Sequence, residues 1–368
     1  MSVKEIDLVS FRNHAHINLK LGEGLNVIYG ENGSGKTSIL EAIYSLSLGR
    51  SFRTSKIQEL VKTGEEFLSV KGIFMNSGME NILLLNQTSE GRRKIIRNGA
   101  PLKGLKDLVG HNPMVLVSPE EQKITQGSPA ERRTYFDRLF SEIRKNYIII
   151  LSDFARVLKQ RNAAIQRFRE NRCGKNEIMT WNQQFIDLSK KLWLIREDIH
   201  STFSIFLKKV VDQYSEGKVK LESQYLPSGD KNEFENSFKN NLETDIRVGR
   251  TMSGPHRDNY DFFFQGKDIR QFGSQGEHKL SLVLLKLAEF LHIHEETGKQ
   301  PVLLLDDLFS KLDFQRSDDL LGLLKTGAQT IITTTDLVDI KRHKIDLDIE
   351  ANKTFHLVRE NAGTKGRA

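Results

Sequence analysis

Nine consecutive residues, Gly30-Glu31-Asn32-Gly33-Ser34-Gly35-Lys36-Thr37-Ser38, fit in full the phosphate-loop pattern of Gly, four residues, Gly, Lys and Ser/Thr. Each part has a physical task. The glycines let main-chain N–H groups converge on phosphate oxygens, and a helix starting at Lys36 turns its positive end on the same anion. Lys36 reaches the β- and γ-phosphates, and the Thr37 hydroxyl completes a Mg²⁺ shell. A second group, Asp306-Asp307, ends the apolar run Val302–Leu305. There Asp306 holds Mg²⁺ through water as the partner of Thr37, and Asp307 orients the attacking water as general base. A third, Ser274-Gln275-Gly276-Glu277, opens a helix about 30 residues earlier and offers a second anion-binding surface. One phosphate loop does not need it. A dimer does, if the serine turn of one copy closes on the γ-phosphate held by the other. Asp313, in Ser310-Lys311-Leu312-Asp313, and Asp336 are the remaining polar groups aimed at the nucleotide.

These groups need elements that hold them. Leu25-Asn26-Val27-Ile28-Tyr29 reads as a buried strand entering the loop, and Ile39, Leu40, Ile43 and Leu46 recur at helical spacing after it. Alternating strands precede the loop from residue 3. Antiparallel strands are expected at Phe67–Phe74, Asn81–Asn86 and Lys94–Arg97, and core strands at Met114–Val117 and Thr330–Thr335. After Gly127-Ser128-Pro129 the pattern turns helical. Phe136, Phe140, Ile143, Tyr147, Leu151, Phe154 and Leu158 step by three or four, as do Trp181 through Val210. With the polar gap Arg169–Thr180 between them, they read as a helical hairpin whose two arms are each about 50 Å long. A strand at Lys218–Tyr225, a short helix near Asn232–Asn241, a strand at Asn259–Phe264 and a helix from Gln275 to His294 follow. The expected fold is α/β: a head of 1–129 and 248–368, a mixed sheet with helices, carrying an inserted, mostly helical lobe of 130–247.

With 368 residues there is room for two domains. The single cysteine, Cys173, rules out a disulfide within the chain and a cysteine-rich zinc site, and fits a reducing cytoplasm. The opening Val3-Lys4-Glu5-Ile6-Asp7-Leu8 reads as a strand rather than a signal peptide, and no apolar run approaches the ~20 residues of a membrane span.

The net charge of +7 and pI of about 9.2 fit a polyanionic partner. Residues 132–172 hold eleven Lys/Arg against four Asp/Glu, a surplus equal to the charge of the whole chain. Arg144, Lys159, Arg161, Arg167 and Arg169 are expected to line helical faces. With the clusters Arg50/Arg53/Lys56 and Arg92/Arg93/Lys94 they favour phosphate contacts to DNA without base reading.

The chain resembles the ABC-type ATPase heads of the SMC kind, and within them the RecF family of bacterial recombination mediators. The resemblance covers essentially the full length. It rests on Val9-Ser10-Phe11-Arg12-Asn13, the loop Gly30–Thr37, Ser118-Pro119-Glu120 with Gly127-Ser128-Pro129 and Arg132-Arg133, and Gly254-Pro255-His256-Arg257-Asp258. Ser274–Glu277, Asp306-Asp307, Ser310–Asp313 and Thr333–Asp336 complete it. It implies an ATP-dependent homodimer, with ATP and Mg²⁺ as cofactors, that binds double-stranded DNA at gaps and single-strand/double-strand junctions. It also implies work with RecR and RecO, RecA loading and a part in the SOS response. The resemblance also implies a weak, DNA-dependent ATPase; Asp307 stands where most ABC ATPases have Glu, one methylene longer, which predicts slow hydrolysis. Glu277 stands where many have Gln. Asp336 replaces the His of transporter ATPases and argues against that branch. A transporter ATPase subunit and a nucleotide-dependent scaffold without turnover are the alternatives that the residues leave open.

Overall fold

The computed structural model describes residues 1–76, 78–215, 218–307, 327–338, 347 and 349–358, which fall into two compact units. Met1–Gln122 and Leu285–Ala368 make the first, and Lys123–Leu284 the second.

Two sheets build the first unit. One is antiparallel, in the order His14–Lys20, Ser2–Phe11, Phe67–Asn76, Met79–Thr88, Arg93–Arg97, Ala100–Pro101. Its strands alternate buried and outward residues, and a bulge between Val3 and Glu5 shifts the phase so that Val3, Ile6 and Leu8 all face the core. The other has five strands, in the order Lys353–His356, Leu25–Tyr29, Thr330–Thr334, Val302–Asp306, Met114–Val117, and every neighbouring pair is parallel. Their runs are apolar rather than alternating because parallel strands are buried on both faces. The helix Lys36–Leu48 packs against strands of both sheets, and eleven of its thirteen residues are buried, so it is a central layer rather than a surface helix. The strand Lys353–His356 escapes the sequence reading. Four residues with one aromatic give no strand signal, and it forms because the free edge of Leu25–Tyr29 accepts it.

The second unit is organised by the helices Pro129–Ile143, Lys145–Arg169 and Asn182–Ser215. The first arm of the expected hairpin is thus two helices, not one. Arg144 is extended, with φ −120° and ψ 107°, although the apolar spacing of Phe140, Ile143 and Tyr147 runs straight across it. At 25 residues the arm opposite Asn182–Ser215 is about 38 Å long, and only the 34-residue helix reaches about 50 Å.

Residues 248–284, expected with the head, belong to this unit. Asn259–Phe264 pairs antiparallel with Leu221–Leu226, setting Tyr260 opposite Tyr225, and the buried Asp258 before it ties the segment to the long helix. Asp258 accepts from Trp193 Nε1 at 2.9 Å, Arg196 Nη1 at 2.6 Å, the Tyr225 hydroxyl at 2.6 Å and the Ser228 amide at 2.8 Å. Four donors on one buried carboxylate offset its desolvation, and withdrawing any of them exposes that cost.

The charge surplus of 132–172 is smaller at the surface than by count. Arg132, Arg138 and Arg161 are buried. Arg161, expected on a solvent face, donates to Asp245 at 2.8 Å and Thr251 at 2.6 Å and lies over the Phe238 ring at 4.5 Å. Arg144 sits 3.8 Å from Asp198, and Arg167 is paired with Glu177. Lys145, Lys159 and Arg169 are exposed. Periodicity cannot see this, because a buried arginine keeps the same helical spacing as a solvated one once a carboxylate from another element meets it.

His200, on Asn182–Ser215, lies near Phe136 and meets Ser223 Oγ at 2.9 Å. Burial lowers its imidazole from 6.5 to about 4. The folded state therefore resists a proton that the unfolded chain accepts. This contribution to stability is complete above pH ~6.5 and is lost as pH falls to about 4, by about 3 kcal/mol. Urea unfolding across that window is expected to show the loss, and His200→Gln to flatten it.

Candidate nucleotide-binding site

Because all five strands of the parallel sheet run the same way, their carboxyl ends open on one edge, where α/β sheets hold ligands. Register levels those ends: Tyr29 is opposite Thr334, Asp306 opposite Thr333, and Leu305 opposite Val117. The phosphate loop leaves Leu25–Tyr29, Asp306-Asp307 end the strand begun at Val302, and Ser118-Pro119-Glu120 leave Met114–Val117.

In the loop, Gly30 has φ +150°, and a Cβ there would lie 2.2 Å from the Leu357 carbonyl oxygen. Gly35 has φ +96°, and its Cβ would strike the His14 ring at 2.3 Å. That second contact reveals residues to which the sequence reading gave no site role. The turn Arg12-Asn13-His14 lies against the loop: His14 Nε2 meets the Gly35 carbonyl at 3.1 Å, and Ser38 Oγ donates to Asn13 Oδ1 at 3.2 Å. Arg12 donates through Nε and Nη2, at 2.8 and 2.6 Å, to the fully buried Glu41 on the loop helix. The motif Phe11-Arg12-Asn13 was visible as a resemblance, but nothing in it announces contact with a loop twenty residues away.

Lys36 Nζ donates to the carbonyls of Gly30 at 2.7 Å and Glu31 at 2.8 Å. Burial pushes its ammonium pKa down, and the charges of Asp307 and Asp306 oppose that shift. Thr37 Oγ1 donates to both oxygens of Asp306, at 2.9 and 3.1 Å, and Thr333 Oγ1 donates to Asp306 Oδ1 at 2.7 Å. Burial raises the Asp306 carboxyl; the Thr333 and Thr37 hydroxyls counter it, and the neighbouring Glu120 and Asp307 add to it. Thr333 also accepts the Asp307 amide at 3.0 Å, which holds Asp307 at φ +51°, a strained conformation for a residue with a side chain. The Thr-rich strand end was legible, but not that Thr333 within it fixes both acids.

Lys36, Thr37, Asp306 and Asp307 therefore come together as expected. Ser34 is buried in the loop, and Glu31, Asn32 and Gly33 form its exposed rim. Ser274 and Gly276 belong to the second unit. There Ser274 caps the helix Gln275–Thr297 reciprocally: its amide donates to Glu277 Oε2 at 2.7 Å and its hydroxyl accepts from the Glu277 amide at 3.3 Å. Asp336 accepts the Val338 amide at 2.9 Å, as a capping residue does. Asp313 lies outside the described residues.

Among the described residues no group of three or more His, Cys, Asp or Glu could cage a metal ion. Mg²⁺ needs no such cage, since it is held by one or two carboxylates together with phosphates and water. The Thr37 hydroxyl set on the Asp306 carboxylate beside the loop lysine suits that ion.

A lysine loop and an aspartate pair at the carboxyl edge of a parallel sheet, with an antiparallel sheet behind the loop helix, define an ABC-type P-loop ATPase head. Residues 2–344 match the RecF/RecN/SMC N-terminal domain family. The DNA replication and repair protein RecF of Lactococcus lactis is 34% identical over 99% of both chains, and that of Clostridium novyi 34% identical over 94% of this chain and 96% of the other. A solved structure described as the recombination mediator protein RecF with ATP in the RecFOR pathway is 33% identical, covers 91% of this chain and 92% of its own, and superposes with a TM-score of 0.85. An Smc head bound to the C-terminal winged-helix domain of ScpA, 18% identical with a TM-score of 0.53 over 92% of this chain and 91% of its own, shares the fold. The chain belongs to the RecF family of DNA replication and repair proteins.

Replacing Thr333 by Val removes a donor to Asp306 and an acceptor for the Asp307 amide in a buried place. Chemical denaturation is expected to show a loss of about 1–3 kcal/mol, and Thr333→Ser, which keeps the hydroxyl, to restore most of it.

Proposed function

We propose that the chain is an ATP-dependent, dimerising, DNA-binding recombination mediator in DNA repair and replication, with slow, DNA-stimulated ATP hydrolysis. The observation that carries the nucleotide part is the Thr37 hydroxyl held on Asp306 at 2.9 Å beside a loop lysine. Lys36 would exchange its loop carbonyls for the β- and γ-phosphates. Thr37 would ligate Mg²⁺, and Asp306 would hold one of its waters. The ion supplies charge neutralisation between the phosphates. Asp307 would orient the attacking water, and its short side chain suits slow turnover. The resemblance to ATP-bound RecF supports ATP as the nucleotide.

Ser274, set at the start of a 23-residue helix by its capping box, would meet the γ-phosphate held by a second copy, so that ATP joins the two. Exposed Arg50, Arg92 and Lys94 with Lys145, Lys159 and Arg169 would contact the backbone of double-stranded DNA at gaps or junctions. Membership of the RecF family, with a relative described as acting in the RecFOR pathway, supports RecR, together with RecO, as partners. It likewise supports RecA loading and a part in the SOS response.

Sedimentation of the full chain with and without ATP and duplex DNA, at two salt concentrations, tests this. ATP with Mg²⁺ should double the mass. Lys36→Met should weaken ATP about ten- to a hundredfold, the loss of charge-assisted bonds to phosphate. Ser274→Arg should bind ATP and remain a monomer; a Ser274→Arg protein that still dimerises with ATP would refute the role across the dimer.

A further inference from the structure

The motif Gly254-Pro255-His256-Arg257-Asp258 takes no part in the nucleotide site, yet the second unit is built around it. Asp258 carries four donors from three other elements, and Arg196 reaches back from the long helix to the Pro255 carbonyl at 2.7 Å. Gly254 has φ +127°, and a Cβ there would meet the Phe185 ring at 2.8 Å. The His256 ring is tied to the Thr251 carbonyl at 3.1 Å. Burial lowers that ring to about 4, so it stays neutral, and Arg257 and Arg133 push the same way. Every residue of the turn except one is fastened inward. The exception is Arg257, which is exposed and whose guanidinium contact among the described atoms is the Met252 sulfur at 3.8 Å.

A second arginine stands beside it. Arg133, on Pro129–Ile143, donates Nη1 to the Asp258 carbonyl at 2.7 Å, one peptide from Arg257, and keeps its remaining donors. Burial lowers this guanidinium, the charges of Arg196 and Arg257 add to the shift, and Asp137 and Asp258 oppose it. The buried Arg196 is already neutralised by Asp258 and Asp137, at 2.6 and 2.8 Å. The two acids near the turn are thus bonded to the inner arginine, and Arg133 and Arg257 stand outside it with like charge. Two guanidinium forks of one sign, one anchored on the Asp258 carbonyl and one exposed beside it, fit one ligand chemistry, a phosphate oxyanion.

The geometry points to Arg257 and Arg133 as a preset contact for a phosphodiester of duplex DNA, a backbone grip in the second unit distinct from the lysine loop. This rests on the DNA-binding reading above and deepens it. A DNA phosphate is favoured over a nucleotide because the lysine loop already serves the triphosphate, whereas the long helices of this unit carry further exposed lysines, Lys145 and Lys159, suited to a backbone.

The test is binding of a fluorescent duplex to the full chain with ATP and Mg²⁺, followed by anisotropy across a salt series. Losing one phosphate contact should lower the slope of log affinity against log salt by about 0.9 and weaken binding about eightfold at 0.1 M salt relative to 1 M. Arg257→Ala should show this, Arg257→Glu more strongly, and Arg257→Lys should recover most of the slope. Because Arg257 is exposed, these variants keep the buried network. An unchanged slope in Arg257→Ala overturns the proposal while the DNA-binding reading stands. So does a loss traced entirely to weaker nucleotide affinity measured without DNA, which would make the pair a nucleotide contact. A wild-type chain that binds no duplex would instead remove the reading on which the proposal rests.

Discussion

Parallel alignment of five short strands is the constraint on which the rest depends. Reversing any one would carry its terminal residues to the opposite edge, and the loop, the acids and the Ser118–Glu120 turn would no longer share a side. Within that edge the decisive contact is the Thr37 hydroxyl on Asp306. It joins residues 269 positions apart and is reinforced from the neighbouring strand by Thr333. Hydroxyl donors pull the buried carboxyl back down against its desolvation, toward the ionised form that a Mg²⁺ water requires. Fold and site electrostatics are therefore one problem here, since the burial that orders the strands raises the Asp306 carboxyl and its two threonines oppose that rise.

The second unit solves a similar problem differently. Its aromatic interior, with Phe136 stacked on Tyr260 at 4.1 Å, surrounds a polar hub in which Asp258 and Arg196 are both fully enclosed. Removing Arg196 would leave the buried Asp258 without its cation, a loss of about 3–5 kcal/mol. The reward is geometric rather than energetic. Strand, long helix and the 254–258 turn acquire a single arrangement, and a surface arginine gains a fixed base.

Much of this was legible in the residues. The phosphate loop, its flanking strand and helix, and the acidic strand end carry strong local signals, because each task there demands particular residue types at fixed spacing. The helical arms were legible as periodicity, but the break at Arg144 was not, since the apolar rhythm continues through it. Position in space was the harder part. Lys353–His356 becomes a strand only because an edge awaits it, and the turn Arg12–His14 meets the loop only because two sheets clasp one helix. Arg161 reads as a surface charge until Asp245, 84 residues away, is brought beside it. Local pattern fixes what an element is; which charges it hides is decided by partners far along the chain.

The central claim is that a triphosphate held at this sheet edge bonds two copies of the chain. A crystal structure of the full-length Asp307→Asn protein with ATP and Mg²⁺ tests it most directly. The account predicts a two-fold dimer in which Lys36 and Thr37 of one copy and the partner's Ser274 contact the same γ-phosphate. Nucleotide bound on Lys36 with the serine turn open to solvent, and solution scattering of a single chain under the same conditions, would contradict it.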